Sequence, residues 1–359
     1  MKITLFIGGL SGGGAERVIC NLSNYLSKRH DVTILTMSND KPAYDLSDKV
    51  RRISLVQFGE SDNKIIKNLK RIKRFREYVK RNSPDIYITM LPNTINFMLF
   101  NRKIINAPIL ISERGDPKTR YESSRLKKFI MKKLYPKADG VVFQTEEAKS
   151  YYTKFIGDKG IIIPNAINSE FIRKPYSGQR KKRIVSAGRF SEQKNFSMLI
   201  EAFSKIIVDY PDFELVIYGD GALRNDLEKQ IKKNALENKV LIPGYVEGFG
   251  DHIFDAALFV LPSNYEGMPN ALMEAMALGL PCISTDCPVG GPRYLINNNM
   301  NGLLISPGNL NELIEAIEKL LSDDFLRHKI GNNAKEIVST LNPEVIYYKW
   351  ETYISSLQN

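Results

Sequence analysis

The sequence predicts an α/β protein made of two doubly wound parallel-sheet domains. Short runs rich in Ile, Val and Leu alternate with helix-period stretches from one end to the other, and that alternation implies parallel strands joined by crossover helices. The chain has 359 residues, more than one ordinary core accommodates. A polar stretch at 168–183, with Pro175, Gly178 and a basic cluster, interrupts the alternation and reads as an interdomain linker.

Taken in order, the first half predicts strands at 3–7, 32–36, 53–56, 86–90, 109–112, 140–143 and 161–163. The second half predicts strands at 184–187, 215–218, 240–242, 258–261, 282–284 and 303–305. The expected domains are 1–170 and 171–342. A closing helix over 343–359 carries Ile346, Tyr347, Trp350, Tyr353, Ile354 and Leu357 at helical spacing, so it needs another surface to bury that face.

Composition limits the function classes. No apolar run reaches the roughly 18 residues of a membrane-spanning helix, and the opening MKITLFIGGLSGGG breaks into glycines early enough to read as a first strand rather than an export signal. Cys20, Cys282 and Cys287 have neither the number of a disulfide framework nor the spacing of a zinc site. Buried thiols in a reducing cytosol are expected. The formal net charge of +11 is uneven: residues 1–180 hold 34 Lys+Arg against 17 Asp+Glu, while residues 181–359 hold 17 against 23. A half this basic suits an anionic partner, whether phosphorylated ligand, membrane surface or nucleic acid.

The most informative segment is 262–281, PSNYEGMPNALMEAMALGLP. A strand ends at Leu261, Pro269 fits a first helical position, and Gly279 fits a helix stop. Backbone N–H groups at 268–271 would then stand free at a helix start, where an anion such as phosphate is favoured. Glu266 precedes the helix and Glu274 lies one turn inside it. Two carboxylates flanking a phosphate-sized gap could grip hydroxyls of a nucleotide sugar; the plainer alternative makes Glu266 a helix cap and Glu274 a solvated charge. A second anion site is expected at 186–195, where Arg189 and Lys194 follow a strand end, the place where open α/β sheets bind ligands. Gly219 and the segment Gly244-Tyr245-Val246 mark further strand ends. The loop Gly8-Gly9-Leu10-Ser11-Gly12-Gly13-Gly14 after the first strand does not match G-x-G-x-x-G, which disfavours a redox dinucleotide site.

These segments resemble the retaining nucleotide-sugar glycosyltransferases of the GT-B fold, family 4. Glu266 to Glu274 matches its E-x7-E motif, Gly188-Arg189 through Lys194-Asn195 its phosphate-binding stretch, and Gly13-Gly14-Ala15-Glu16 its N-terminal loop. The resemblance covers nearly the whole chain. It implies two Rossmann-like domains facing across a cleft, with the last helix crossing back to the first. It implies that Glu266 contacts the transferred sugar, Glu274 the ribose, and Arg189 and Lys194 the diphosphate. Main-chain groups of Gly267, Met268, Pro269 and Asn270 and of Gly13 and Gly14 would complete the phosphate site. Tyr245 and Val246 would line the base pocket, with Gly219 beside them. It further implies metal-independent chemistry with no cofactor, the nucleotide sugar being a substrate, and the sequence has no D-x-D pair. One departure concerns residues 111–117, ISERGDP, where relatives carry a histidine and this chain has Arg114. Arginine is no base at pH 7, so Arg114 would bind phosphate or orient the sugar, with Glu113 and Asp116 as acceptor contacts. His30, His252 and His328 are expected at the surface.

Residues 64–81 hold nine basic side chains and one acidic, with Ile65, Ile66, Leu69, Ile72, Phe75 and Val79 at helical spacing, and residues 125–133 add a second cluster. The stripe is expected to be core and the cations to meet an anionic membrane surface; no nucleic-acid module is present. The sequence therefore points to a cytoplasmic transferase, peripheral on the inner face of the cell membrane. It would move a hexose or N-acetylhexosamine from a UDP-sugar to a lipid-diphosphate-linked saccharide in bacterial surface polysaccharide synthesis. The alternatives are a non-catalytic nucleotide-sugar-binding or membrane-docking protein of the same fold, and a same-fold epimerase.

Overall fold

A computed structural model describes residues 1–56 and 63–358; the side chains of Lys64 and Ile65, which belong to the first basic cluster, lie outside the described set. The chain divides into two compact units, Met1–Ala166 with Glu344–Asn359, and Ile167–Pro343.

The first unit holds one parallel sheet of β1 (Lys2–Ile7), β2 (Asp31–Thr36), β3 (Val50–Ser54), β4 (Ile86–Met90), β5 (Ile109–Ser112), β6 (Gly140–Phe143) and β7 (Gly160–Ile162). Their order is β3-β2-β1-β4-β5-β6-β7, so the sheet reverses direction between β1 and β4. Helices α1 (Gly14–Leu26), α2 (Lys64–Asn82), α3 (Pro92–Phe100), α4 (Arg125–Leu134) and α5 (Glu146–Ile156) make the crossovers. Start signals are visible in α4 and α5, where Ser124 and Thr145 accept from the N–H groups of Lys127 and Ala148, satisfying donors a helix start leaves open. Phe6, Phe75, Tyr87 and Phe97 form an aromatic core cluster. The third strand starts at Val50 rather than at residue 53, because β2 pairs it residue for residue from Val32–Val50 to Thr36–Ser54.

The second unit holds β8 (Lys181–Ala187), β9 (Glu214–Tyr218), β10 (Val240–Gly244), β11 (Ala256–Leu261), β12 (Cys282–Thr285) and β13 (Leu303–Ile305) in the order β10-β9-β8-β11-β12-β13. Its helices are α6 (Phe196–Ile206), α7 (Arg224–Lys233), α8 (Phe249–Ile253), α9 (Asn270–Ala277), α10 (Gly291–Leu295), α11 (Leu310–Ser322), α12 (Asp324–Ala334) and α13 (Ile337–Thr340). Leu199 and Phe203 of α6 meet Leu313, Ile317 and Leu320 of α11 over the sheet core. The expected linker at 168–183 is instead part of this unit. Phe171 is buried against Phe249, Arg180 donates to the carbonyls of Phe254, Ala256 and Gly279, and β8 already begins at Lys181. The basic cluster hid a strand whose first three residues, Lys181, Lys182 and Arg183, are all exposed or half-exposed.

The C-terminal helix, Pro343–Ser356, packs in the first unit. Ile346, Tyr347, Trp350 and Ile354 are buried, Tyr347 meets Tyr25, and Glu351 joins Arg29 and His30. His30 is thus largely buried and paired, not the surface residue expected. The basic helices also depart from expectation. In α2, Phe75 and Tyr78 are buried, but Ile66 and Leu69 are exposed, and Arg71 and Arg74 turn to the carbonyls of Met37 and Leu55. In α4, Leu126 and Phe129 are 68% and 57% exposed. Among the described residues no helix is long and apolar enough to cross a membrane.

Candidate functional site

Strand order positions the second unit's site. Because the strand order reverses between β8 and β11, the loops leaving those two strands flank the switch point, the place where open α/β sheets take ligands. These are the loops at 188–195 and 262–269. Besides an ion pair, they are tied together by hydrogen bonds from Asn264 N–H to Gln193 O at 2.8 Å, Asn264 Nδ2 to Glu192 O at 2.7 Å, Gln193 Nε2 to Tyr265 O at 3.0 Å and Asn195 Nδ2 to Asn264 Oδ1 at 3.1 Å.

At their junction Lys194 Nζ lies 2.6 Å from Glu266 Oε1, with side-chain exposures of 15% and 7%. Ser263 Oγ donates to the same oxygen at 2.7 Å. A nearly buried ion pair of this kind persists because each charge offsets the other's desolvation and a further hydrogen bond is present. The Glu266 backbone is fixed too: its N–H donates to Pro288 O at 2.5 Å, and Val289 N–H donates to Glu266 O at 2.8 Å. Cys287, on that clasping segment, is buried, and burial first, then the Glu266 charge, pushes its thiol up to about 12. It is a neutral wall at neutral pH. The sequence reading missed residues 286–290 as a support, since nothing in their spacing relates them to Glu266.

Beyond Glu266, α9 starts at Asn270, and Pro269 is extended at the N-cap position (φ −77°, ψ 102°) rather than first in the helix. No side chain caps α9. Gly267, Met268 and Pro269 are buried. Glu274 is also buried, at 5% exposed, so it is not the solvated charge of the plainer alternative. Gly291 packs backbone to backbone on this loop, since a Cβ there would stand 1.8 Å from Gly267 O. Arg189 is exposed at the end of β8. At Gly219 (φ +130°) a Cβ would lie 2.0 Å from Gly188 O, so only glycine lets these two strand ends touch. Tyr245 projects from the end of β10, 82% exposed, with Val246 half-buried behind it. The arrangement offers a fixed carboxylate with its ammonium partner, a second buried carboxylate, an uncapped helix start and an exposed aromatic. Among the described residues no cluster of His, Cys, Asp or Glu could hold a metal. A separate open cleft of about 770 Å³ lies past β12 and β13, lined by Asp286, Arg293, Tyr294 and Asn298, and does not include Glu266 or Lys194.

In the first unit, Gly13 is the extended N-cap of α1, Gly14 is its first residue, and Glu16 Oε2 accepts from Gly12 N–H at 2.6 Å. Arg114 follows β5. Its Nε donates to Ser112 Oγ at 3.0 Å and its Nη1 to Asn165 Oδ1, which Gln144 Nε2 also reaches at 2.8 Å. Glu113 and Asp116, expected as acceptor contacts, are committed elsewhere. Glu113 is buried and binds Arg120 Nη1 at 2.5 Å and the Tyr135 hydroxyl. Asp116 accepts from Lys118 N–H at 2.9 Å, Thr119 N–H at 3.1 Å and the Thr119 hydroxyl. Both shape the loop; neither presents an open carboxylate oxygen.

The family model for "Glycosyltransferase Family 4" matches residues 12–171 and that for "Glycosyl transferases group 1" matches residues 168–337. The chain is 30% identical, over 93% of its length and 94% of the relative's, to the Campylobacter jejuni N-acetylgalactosamine-N,N'-diacetylbacillosaminyl-diphospho-undecaprenol 4-alpha-N-acetylgalactosaminyltransferase. It is 29% identical, over 100% and 99%, to the GalNAc-alpha-(1->4)-GalNAc-alpha-(1->3)-diNAcBac-PP-undecaprenol alpha-1,4-N-acetyl-D-galactosaminyltransferase of the same organism. Among solved structures, sucrose-phosphate synthase from Thermosynechococcus elongatus superposes with a TM-score of 0.87 at 21% identity, covering 99% of this chain and 98% of that one. Anabaena HepE in complex with UDP and glucose gives 0.83 at 18% identity, covering 99% and 100%. The two-sheet architecture is that of the GT-B fold, and the chain belongs to the glycosyltransferases, as a member of family 4 with a group 1 domain in its second half.

Proposed function

We propose that this protein is a retaining, metal-independent transferase that moves a hexosyl or N-acetylhexosaminyl group from a UDP-sugar to a lipid-diphosphate-linked saccharide in bacterial surface polysaccharide assembly. The observation that carries the reading is the Lys194–Glu266 pair held at the switch point, with Glu274 buried on the helix that follows. Glu266 and Glu274 recognise hydroxyls of the sugar and the ribose. Lys194, Arg189 and the main-chain N–H groups at the start of α9 offset the charge that grows on the departing diphosphate, where fixed donors in a partly dry site act most strongly. Tyr245 offers a face to the base. The bond from the anomeric carbon to the phosphate oxygen breaks, the acceptor hydroxyl oxygen bonds that carbon on the same face, and the acceptor proton leaves with the phosphate, so no protein base is required.

Support for the donor comes from fold neighbours solved with UDP, and for the acceptor from relatives named for diphospho-undecaprenol saccharides. Lys127, Lys132 and Lys133 are exposed on α4 beside Leu126 and Phe129, which supports a peripheral position on an anionic, cytoplasm-facing membrane.

The test is transfer from radiolabelled UDP-sugars to a diphosphate-linked acceptor. Glu266→Ala and Lys194→Ala should each lower turnover at least about 100-fold, the scale of one lost stabilising contact in the transition state. UDP should raise the melting temperature of the wild-type protein by mass action. Full turnover in both variants would remove the site assignment, and UDP binding without turnover in the wild type would favour the non-catalytic alternative.

A further inference from the structure

The open cleft past β12 and β13 is built differently from the Glu266 site. Its volume of about 770 Å³ falls within the range of small-molecule sites. Asp286 directly follows β12 and Ser306 directly follows β13, and both line the cleft, so it opens on the same strand-end rim that carries Glu266 after β11. Arg293 and Tyr294 of α10 form one wall, and the first residue of that helix, Gly291, is the one that packs on the Gly267 carbonyl. Glu336 with Ile337 and Thr340 of α13 forms another wall. The sheet ends here, because β13 is its edge strand.

Most of the charge in this cleft is spent internally. Arg293, the cation among the described lining residues, donates to both oxygens of Asp286, at 2.8, 3.1 and 2.7 Å. Glu312 accepts from Ser306 N–H at 2.6 Å, the Ser306 hydroxyl at 3.1 Å and Asn309 Nδ2 at 2.7 Å, and the first of these foremost holds its carboxyl below the ordinary value of 4.5. A neutralised cation among carboxylates disfavours a phosphate or a nucleotide. What stays open is a set of neutral and acceptor groups. Tyr294 is 49% exposed, its hydroxyl has no partner among the described residues, and burial of the rest of the ring raises its phenol above the ordinary value of 10, so it remains both donor and acceptor. Asn298 Oδ1 accepts from Leu304 N–H at 3.0 Å, which fixes the amide and leaves Nδ2 to be used. Asn297 turns Nδ2 to Met300 Sδ at 3.0 Å and leaves Oδ1. The exposed Glu336 carboxylate meets no donor among the described residues. Donors and acceptors set around a half-wrapped aromatic face match the hydroxyls and the C–H face of a neutral sugar.

We propose that this cleft is a second saccharide-binding site, separate from the Glu266 site, in which Tyr294 packs on a sugar ring while Asn297, Asn298 and Glu336 bond its hydroxyls. The choice of ligand class rests on the reading of the protein as a glycosyl transferase. A neutral oligosaccharide has two sources there, the sugar chain of the lipid-linked acceptor and a separate free saccharide, and the kinetic arm of the test tells them apart.

The experiment labels the protein with fluorotyrosine and assigns the Tyr294 resonance, one of 17 tyrosines, by its absence in Tyr294→Phe. Chitotriose and maltotriose, neutral trisaccharides of N-acetylhexosamine and hexose, are the probes, and inorganic pyrophosphate is the anionic control. At least one trisaccharide should move the Tyr294 resonance saturably, while pyrophosphate leaves it in place. Glu336→Ala should weaken that Kd at least about fivefold, the scale of one lost hydrogen bond to a charged group. Transfer to acceptors with a short and a longer sugar chain separates the sources. A KM that Tyr294→Ala raises for the longer acceptor alone assigns the acceptor chain; KM values unchanged for both, with the wild-type resonance still moving, assign a separate saccharide. Should Tyr294→Ala not fold, Glu336→Ala carries the KM comparison. A resonance that neither trisaccharide moves, one that pyrophosphate alone moves, or a Kd that Glu336→Ala leaves unchanged would overturn the inference, while glycosyl transfer by the wild type still stands. A wild type that transfers no sugar, yet whose Tyr294 resonance answers a trisaccharide, would instead sink the transferase reading and keep the site.

Discussion

Lys194 and Glu266 stand 72 residues apart in the chain and 2.6 Å apart in space. Both motifs were legible in the sequence, as a basic strand-end loop and as a glutamate before a helix. Their pairing was not, because strand order alone makes 188–195 and 262–269 adjacent. The same holds for the support around them. A Cβ at Gly291 would stand 1.8 Å from Gly267 O, and backbone cannot yield as a flexible side chain does. Gly291→Ala should therefore cost about 3 kcal/mol, at the upper end of overpacking strain, read by chemical denaturation. Gly8→Ala is the control: nothing lies within 4 Å of its Cβ position, and its stability should change by less than about 0.5 kcal/mol. Equal losses in the two would show that the Gly267–Gly291 contact does not govern the loop.

At the scale of elements, periodicity located eleven of the thirteen strands within two residues of both ends and missed the starts of β3 and β8 by three, where charged residues mask the pattern. The start of β8 looked like linker because Lys181, Lys182 and Arg183 are charged and exposed or half-exposed in succession. The stripe of α2 looked uniformly buried, but only its second half, from Phe75, reaches the aromatic core. The C-terminal helix was legible as amphipathic, and its partner was decided by tertiary contacts. Arg29 donates to both oxygens of Glu351, at 2.9 and 2.6 Å, and His30 lies 2.9 Å away. The Arg29 hydrogen bond foremost holds the Glu351 carboxyl below its ordinary value of 4.5. A carboxyl depressed on folding stabilises above its unfolded value and loses that contribution as pH falls through the folded one. Glu351→Gln should thus cost about 1 kcal/mol at pH 7, as suits a partly exposed bidentate pair, and the gap to wild type should close as pH falls below about 4. A gap that stays constant from pH 7 to pH 3 would remove the ion pair from the helix's anchoring.

Over the whole molecule, the excess of basic side chains lies in residues 1–180. The basic half carries exposed cations on α4 next to exposed Leu126 and Phe129, a combination that suits an anionic bilayer, where each lysine near the surface contributes about 1 kcal/mol. Reversing Lys127, Lys132 and Lys133 to glutamate should therefore weaken binding to phosphatidylglycerol vesicles at least about 100-fold. Wild-type binding should itself decline with added salt as screening shortens the reach of the charges. Vesicle sedimentation measures both. Unchanged binding by the triple variant would move the membrane contact away from α4.

The sequence by itself determined the α/β class, the two-sheet division and the strand-end segments that hold the candidates Glu266, Glu274, Lys194 and Arg189, because hydrophobic period and turn chemistry are local properties. Only the tertiary structure decided that Lys194 neutralises Glu266, that 286–290 clasps it, that Asp116 is spent within its own loop and Glu113 on Arg120 and Tyr135, and that Arg114 rests against the Trp350 ring. Each of those depends on which strands become neighbours and on how far a group is removed from water, and neither quantity is written in the spacing of residues along a chain.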